Sequence, residues 1–179
     1  LSLHDALPIY KPGTIVKEVA KMEKMLVRGV TKDTDVARIS LVGLSDTPGV
    51  AFRVFDKLAA KNINVDVILQ SVGRDGTKDI SFTVDGNFGD DALKVLEDNK
   101  ARLKYQNIEM EKNVAKVSIV GAGMMSNPGV AAKMFECLYN EHINIKMIST
   151  SEIRVTVLID VNDAERAANA IHDIFGLDE

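Results

Sequence analysis

The chain has a single cysteine, Cys137, among its 179 residues, so no internal disulfide can form and a reducing, cytoplasmic setting fits. The surrounding pattern places Cys137 mid-helix, where it reads as a small buried hydrophobe rather than a reactive thiol. Histidine is nearly as scarce. His4, His142 and His172 stand apart with no metal-ligand spacing, and no serine or cysteine has a base near it in sequence. A basic stripe is missing too: the net charge of −4 mixes both signs along the chain, which argues against nucleic acid as a partner. Apolar runs are short and interrupted, far below the ~20 residues a membrane helix needs. No phosphate-cradling Gly-Lys-Ser/Thr loop occurs. Val120-Gly-Ala-Gly-Met-Met-Ser126 opens like a dinucleotide fingerprint, but Ser126 stands where the third glycine belongs and no acidic partner follows on a parallel strand. What these absences leave is a binding module with no metal, no cofactor and no catalysis of its own.

Only four prolines are present, and two of them carry the strongest positive signal. Leu41–Ser71 reads strand, tight turn, helix, turn, strand, with Pro48-Gly49 at the first turn, and Ile119–Ser151 repeats it with Pro128-Gly129. Aligning Pro48–Ser71 with Pro128–Ser151 gives ten identities in twenty-four positions. The offset is eighty residues after the turn and seventy-eight before it, so the second turn is two residues longer. A composition of 46% apolar and 27% charged residues suits a folded protein with a real core, here a duplicated module.

Periodicity fills in the units. Ala37–Leu44 is a strand, a helix starts at Pro48, Val65–Val72 is β-branched and strand-like, and Gly73-Arg-Asp-Gly76 signals a hairpin to Ile80–Val84. Asp85-Gly86 stops that strand, Asp90–Leu103 reads as a helix, and Asn107–Glu111 is a last strand. The order is that of a split βαβ unit, α+β, with an antiparallel sheet and both helices on one face. The second copy gives Val114–Gly121, helix Pro128–Glu141, strands Ile145–Thr150 and Ile153–Asp160 around a tight turn, and helix Asp163–Phe175. No fourth strand follows, and an unpaired sheet edge is unfavourable. The otherwise orphan strand Met25–Val30 is expected to fill that place. The expected division is 37–111 for the first unit and 25–31 plus 113–179 for the second, with 1–24 a linker. Residues 1–10 read as a fusion or assembly scar.

The candidate site is the first turn of each copy. Pro48 and Pro128 suit the first helical position, and Gly49 and Gly129 let another group approach the backbone. Free N–H groups of the first helical turn then offer a place for a carboxylate. Asp46 is placed to meet an ammonium group, and the two together describe a free α-amino acid. Asp46, Thr47 and Asn127 are equally residue types that start helices, so capping stands beside binding as a reading. Gln70, aligned with Thr150 and followed in the second copy by Ser151 and Glu152, either lines a pocket or meets solvent at the sheet edge.

Ser45–Ala51, Asn62–Ser71, Val120–Ala131 and the run Ile-Ser-Thr-Ser-Glu-Ile-Arg at 148–154 resemble the tandem ACT domains of aspartate kinase, of the type regulated by lysine and threonine together. The likeness covers roughly Gly13 to Phe175. It implies two ferredoxin-like βαββαβ units and feedback inhibition of an ATP-dependent aspartate phosphorylation on the route to lysine, threonine and methionine. ATP and aspartate would bind a kinase domain outside these residues, so the chain matches a fragment or a separately made regulatory subunit. By resemblance, Asp46, Pro48, Gly49, Ala51 and Gln70 match a threonine pocket. Met125, Ser126, Thr150, Ser151 and Glu152 match positions tied to lysine inhibition, and Val50, Gly129 and Val130 join them as candidate effector-binding residues. Asn64 and Val65, with Asn144 and Ile145, match places where paired units meet. The implied partners are threonine, lysine, a second copy of the chain, and an aspartate kinase catalytic domain or subunit. Alternatives of other classes are a dimerisation module without effector binding and an ACT regulator of another amino-acid enzyme.

Overall fold

The computed structural model describes residues 27–71, 75–122, 124 and 127–177. Its strands are β1 (Gly29–Ser45), β2 (Ile68–Gln70), β3 (Thr77–Asp85), β4 (Asn107–Val120), β5 (Met147–Thr150) and β6 (Arg154–Asp160). The α-helices are α1 (Val50–Ala59), α2 (Gly89–Asp98), α3 (Lys100–Leu103), α4 (Val130–Asn140) and α5 (Ala164–Phe175). All six strands form one sheet in the order β2-β3-β1-β4-β6-β5, and among the described residues every pairing is antiparallel. This is the architecture of two ferredoxin-like units joined through their central strands.

Each half buries its own apolar stripe. Ile39 and Leu41 of β1, Ile80 and Phe82 of β3, Val54 and Leu58 of α1, and Ala92 and Leu96 of α2 form a first core. Val117 and Ile119 of β4, Val155 and Val157 of β6, Met134 and Leu138 of α4, and Ala167 and Ile171 of α5 form a second. The helices carry their apolar residues at three- and four-residue spacing, so one stripe faces the sheet and the charged residues face water. At the aligned helix ends Asn62 and His142 adopt left-handed conformations, with φ of 56° and 55°. The following amides, of Ile63 and Ile143, then bond back to the carbonyls of Leu58 and Leu138 at 3.0 and 2.9 Å.

Three sequence expectations need correction. Met25–Val30 and Ala37–Leu44 are not separate strands: from Gly29 onward they belong to the single strand β1, while Met25 lies outside the described residues. Asn107–Glu111 and Val114–Gly121 likewise merge into β4. The polar stretches between them look like turns but hold bulges. Arg38 faces Glu111, Val36 faces Val114, and Asp33 faces Lys116, so β4 carries one extra residue in the first interval and β1 one in the second. Each bulge reverses the alternation once, which keeps both cores, and hence all four long helices, on the same side of the sheet. Gly29–Asp33 thereby lies alongside Lys116–Val120, covering the side of β4 that β6 leaves open. The helix expected over Asp90–Leu103 breaks at Asn99, whose side-chain amide donates to the Val95 carbonyl at 2.8 Å. Of the strand expected over Val65–Val72, Val72 lies outside the described residues, and in residues 65–71 regular pairing is confined to β2. The Asp66 amide donates to the Thr83 carbonyl, and the Val67 amide to the Thr83 hydroxyl, at 3.0 and 3.1 Å, so two residues oppose one.

Candidate functional site

The first turn leaves β1 at Ser45 and enters α1 through Gly49. The Asp46 amide donates to the Gly76 carbonyl at 2.8 Å, which ties the turn to the hairpin before β3. Gly49 is the helix N-cap at φ 84°, and Gly129 is its counterpart before α4 at φ 101°. These left-handed values exclude most side chains and are reason enough for glycine here. Pro48 therefore sits one residue ahead of the cap instead of at the first helical position, and Pro128 does the same. The left-handed glycine takes the cap place that the sequence pattern gave to Asp46 or Thr47.

Neither helix has a side-chain cap. Asp46 pairs with Lys78 at 2.5 Å, and the Thr47 hydroxyl accepts from Arg53 at 3.2 Å, so the capping reading of these two residues does not hold. The first turn of α1 carries no acidic residue that would offset the positive end of its dipole. Over it lies an open hollow of about 500 Å³ that gathers Asp46, Pro48, Gly49, Val50, Ala51 and Gln70. Sequence reasoning missed three further residues of this hollow: Thr47, Phe52 and Lys78. Lys78 comes to this hollow through the pairing of β3 with β1, which sets it opposite Leu44, two residues before Asp46.

The other candidates go elsewhere. Asn64 lines a separate hollow with Asn62, Asp66 and Phe88, and Val65 packs on the first core. Asn144 is exposed, and Ile145 packs on the second core. Val130 is buried behind Gly129, whereas Met125 and Ser126 lie outside the described residues. Thr150 and Ser151 line a hollow of about 290 Å³ on the helix-free face, with Ser118, Thr156 and Arg154. Glu152 is exposed in the tight turn, where the Ser151 amide donates to the Arg154 carbonyl at 2.8 Å.

The helix-free face also carries two ion clusters of opposite sense. Lys116 holds Asp33 at 3.1 Å and also Asp66, from the segment that follows α1. Burial alone would lower the pKa of the Lys116 ammonium, but the hydrogen bonds it donates to Asp66 and Asp33 outweigh it and hold it above its usual 10.5. Glu111 holds Arg38 at 3.0 Å and also Lys146, from the segment that follows α4. Beside them the hydroxyl pairs Ser40–Ser81 and Ser118–Thr156, each at 2.8 Å, floor the two halves of the sheet. Among the described residues no group of three or more His, Cys, Asp or Glu is placed to hold a metal ion.

A family model for the ACT domain matches residues 39–99 and again 117–175, more than half of the chain. The structure is similar to that of the regulatory subunit of aspartate kinase from Thermus thermophilus in ligand-free form, with a TM-score of 0.79 and 42% identity. That match covers 84% of this chain and 99% of the other. The chain belongs to the ACT-domain family, in its aspartokinase regulatory branch. A structure of aspartokinase alpha and beta subunits is equally similar, with a TM-score of 0.79 and 44% identity over 84% of this chain and 99% of that one. The aspartate kinase of Stutzerimonas stutzeri is 44% identical over 169 residues, which are 93% of this ACT chain and 41% of the kinase. This ACT pair thus spans about two fifths of the length of that full kinase.

Proposed function

We propose that this chain is the amino-acid-sensing part of an aspartate kinase, and that it mediates feedback inhibition by threonine and lysine. Aspartate phosphorylation itself belongs to a catalytic domain or subunit that binds ATP and lies outside these residues. The observation that carries the reading is the hollow over α1, where a carboxylate, a strand-end amide and the uncapped N–H groups of a helix converge. An α-amino acid has the matching groups: its carboxylate suits the helix terminus and its ammonium suits Asp46. We assign the first unit to 37–111 and the second to 25–31 plus 113–179, and Met125, Ser126, Thr150, Ser151 and Glu152 to the lysine-responsive region. A homodimer joined through the ACT units, in the cytoplasm, completes the reading. Such a pair inhibits by favouring one arrangement of the attached catalytic part, and a ligand shifts that equilibrium only by its differential affinity for the two states.

Thermal melts with threonine, with lysine, with both, and with unrelated amino acids test this. At a hundredfold excess over Kd, binding stabilises the fold by about 2.7 kcal/mol. Asp46→Ala is expected to abolish the threonine shift while circular dichroism stays unchanged. A folded wild-type sample that responds to none of these amino acids would refute the effector reading and leave the dimerisation module.

A further inference from the structure

The group best placed at Asp46 is already an ammonium. Lys78 approaches the Asp46 carboxylate at 2.5 Å, and its side chain is 14% exposed where that of Asp46 is 51% exposed. The lysine is thus held against the strand while the carboxylate opens into the hollow, and both line it together with Gly49–Phe52 and Gln70. We propose that Lys78 is a resident counter-ion, a built-in competitor that the ammonium of an incoming α-amino acid displaces, and that it sets the affinity and selectivity of this turn. The inference rests on the amino-acid reading of the hollow. While Lys78 holds this carboxylate, an incoming ammonium either shares it against the repulsion of a second cation close by or takes the lysine's place. Displacement exchanges one ion pair for another, and only the difference between them appears as affinity.

The second copy makes the argument sharper. Leu41 pairs with Ile80 where its counterpart Ile119 pairs with Val155, so Lys78 corresponds to Ile153, and Asp46 falls in the lengthened second turn, residues 121–127, which has no acidic residue. Met124 is buried at 8% exposure in the second core, and Ile153 is 59% exposed. The ion pair has no counterpart there, so the two turns differ in kind: the first offers a guarded carboxylate and the second offers none. A ligand recognised mainly through its α-ammonium is thereby directed to the first turn.

Titration calorimetry of the full chain with L-threonine tests this, using wild type, Lys78→Met, Lys78→Gln and Lys78→Met with Asp46→Asn. Freed of a half-exposed pair, Asp46 is expected to bind threonine about two- to fivefold more tightly in both single variants. The double variant is expected to lose that gain, and N-acetyl-L-threonine, which has no ammonium, is expected not to respond to the Lys78 substitutions. Circular dichroism and urea midpoints establish that each variant is folded. Binding that is weaker in Lys78→Met and Lys78→Gln overturns the inference, since the lysine then holds the ligand's carboxylate. Unchanged binding overturns it as well, because nothing competes. No threonine binding by wild type or by either single variant removes the amino-acid reading of the hollow, and this inference with it.

Discussion

Lys116→Met removes the charge at the centre of one ion cluster and keeps most of the aliphatic stem. The Lys116 side chain is 17% exposed, whereas its partners Asp33 and Asp66 are 49% and 54% exposed. Once the ammonium is gone, water can rehydrate both carboxylates, so the cost stays well below the 3–5 kcal/mol of breaking a fully buried pair. Two half-exposed pairs at about 0.5–1 kcal/mol each give a loss of about 1–2 kcal/mol. With a urea slope of about 2 kcal/mol per molar, the midpoint falls by about 0.5–1 M. The pH dependence fixes the sign. The folded-state pKa of Lys116 is raised above 10.5, so its contribution is complete below 10.5 and is lost as pH rises through the higher folded value. Urea melts of wild type and variant at pH 7, 9 and 11.5 therefore show a gap that is constant at the first two and shrinks at the third. Equal midpoints at pH 7, or a gap that persists undiminished above pH 11, refute the reasoning.

Three further outcomes follow from the same geometry. Gly129→Ala puts a Cβ into open space, with nothing within 4 Å, yet at φ 101°. A destabilisation of at least about 1–2 kcal/mol in chemical denaturation then measures left-handed strain alone. Cys137 is buried, and desolvation, with smaller contributions from Glu141 and Asp173, raises its thiol pKa. Its reaction with a disulfide reagent at pH 8 is expected to be slow in the folded chain and fast in denaturant. Because β1 and β4 each serve both cores, calorimetry is expected to give one transition with equal calorimetric and van't Hoff enthalpies; two resolved transitions would contradict strand sharing.

Much of the fold was legible because it is local. Apolar spacing marked α1 and α5, the repeat carried the α1 reading over to α4, and the positive φ values of Asn62 and His142 now explain where α1 and α4 end. The β-bulges were not legible. Thr34-Asp35 and Lys112-Asn113 are turn-forming residue types, and only the pairing partner shows that the strands run through them. A second repeated signal passed unread: Asp85 and Asp160 each accept a hydrogen bond from the amide two residues on, of Asn87 and Asn162, at 2.9 and 3.0 Å. These side chains start the short helical turns before α2 and α5. At the site, the turn gave six of its lining residues, all from the Pro-Gly motif and the strand end. Lys78 was missed because its role comes from a cross-strand neighbour, and a motif read along the chain has no access to that.

Duplication and strand sharing constrain each other in this fold. Each unit needs an edge partner for its first strand, and the chain supplies it by extending β1 and β4 past one core into the other. The apolar residues change parity along both strands, Ala37, Ile39 and Leu41 in the first core against Val30 in the second on β1, and Ile108 and Met110 against Val117 and Ile119 on β4, so each strand needs one break in the alternation to bring both sets to one face. One extra residue on each strand meets that need twice. The ion clusters sit where the bulges sit: Lys116 and Asp33 flank one, and Glu111 and Arg38 flank the other. Each cluster also reaches the segment after a helix of the opposite half, through Asp66 or Lys146. Those segments lead directly into the edge strands β2 and β5, which end at Gln70 and Thr150. Each candidate pocket is thus joined, through one edge strand and one ion cluster, to the other half of the sheet. The inverted charges, one cation between two acids and one acid between two cations, stop either segment from docking in the wrong cluster.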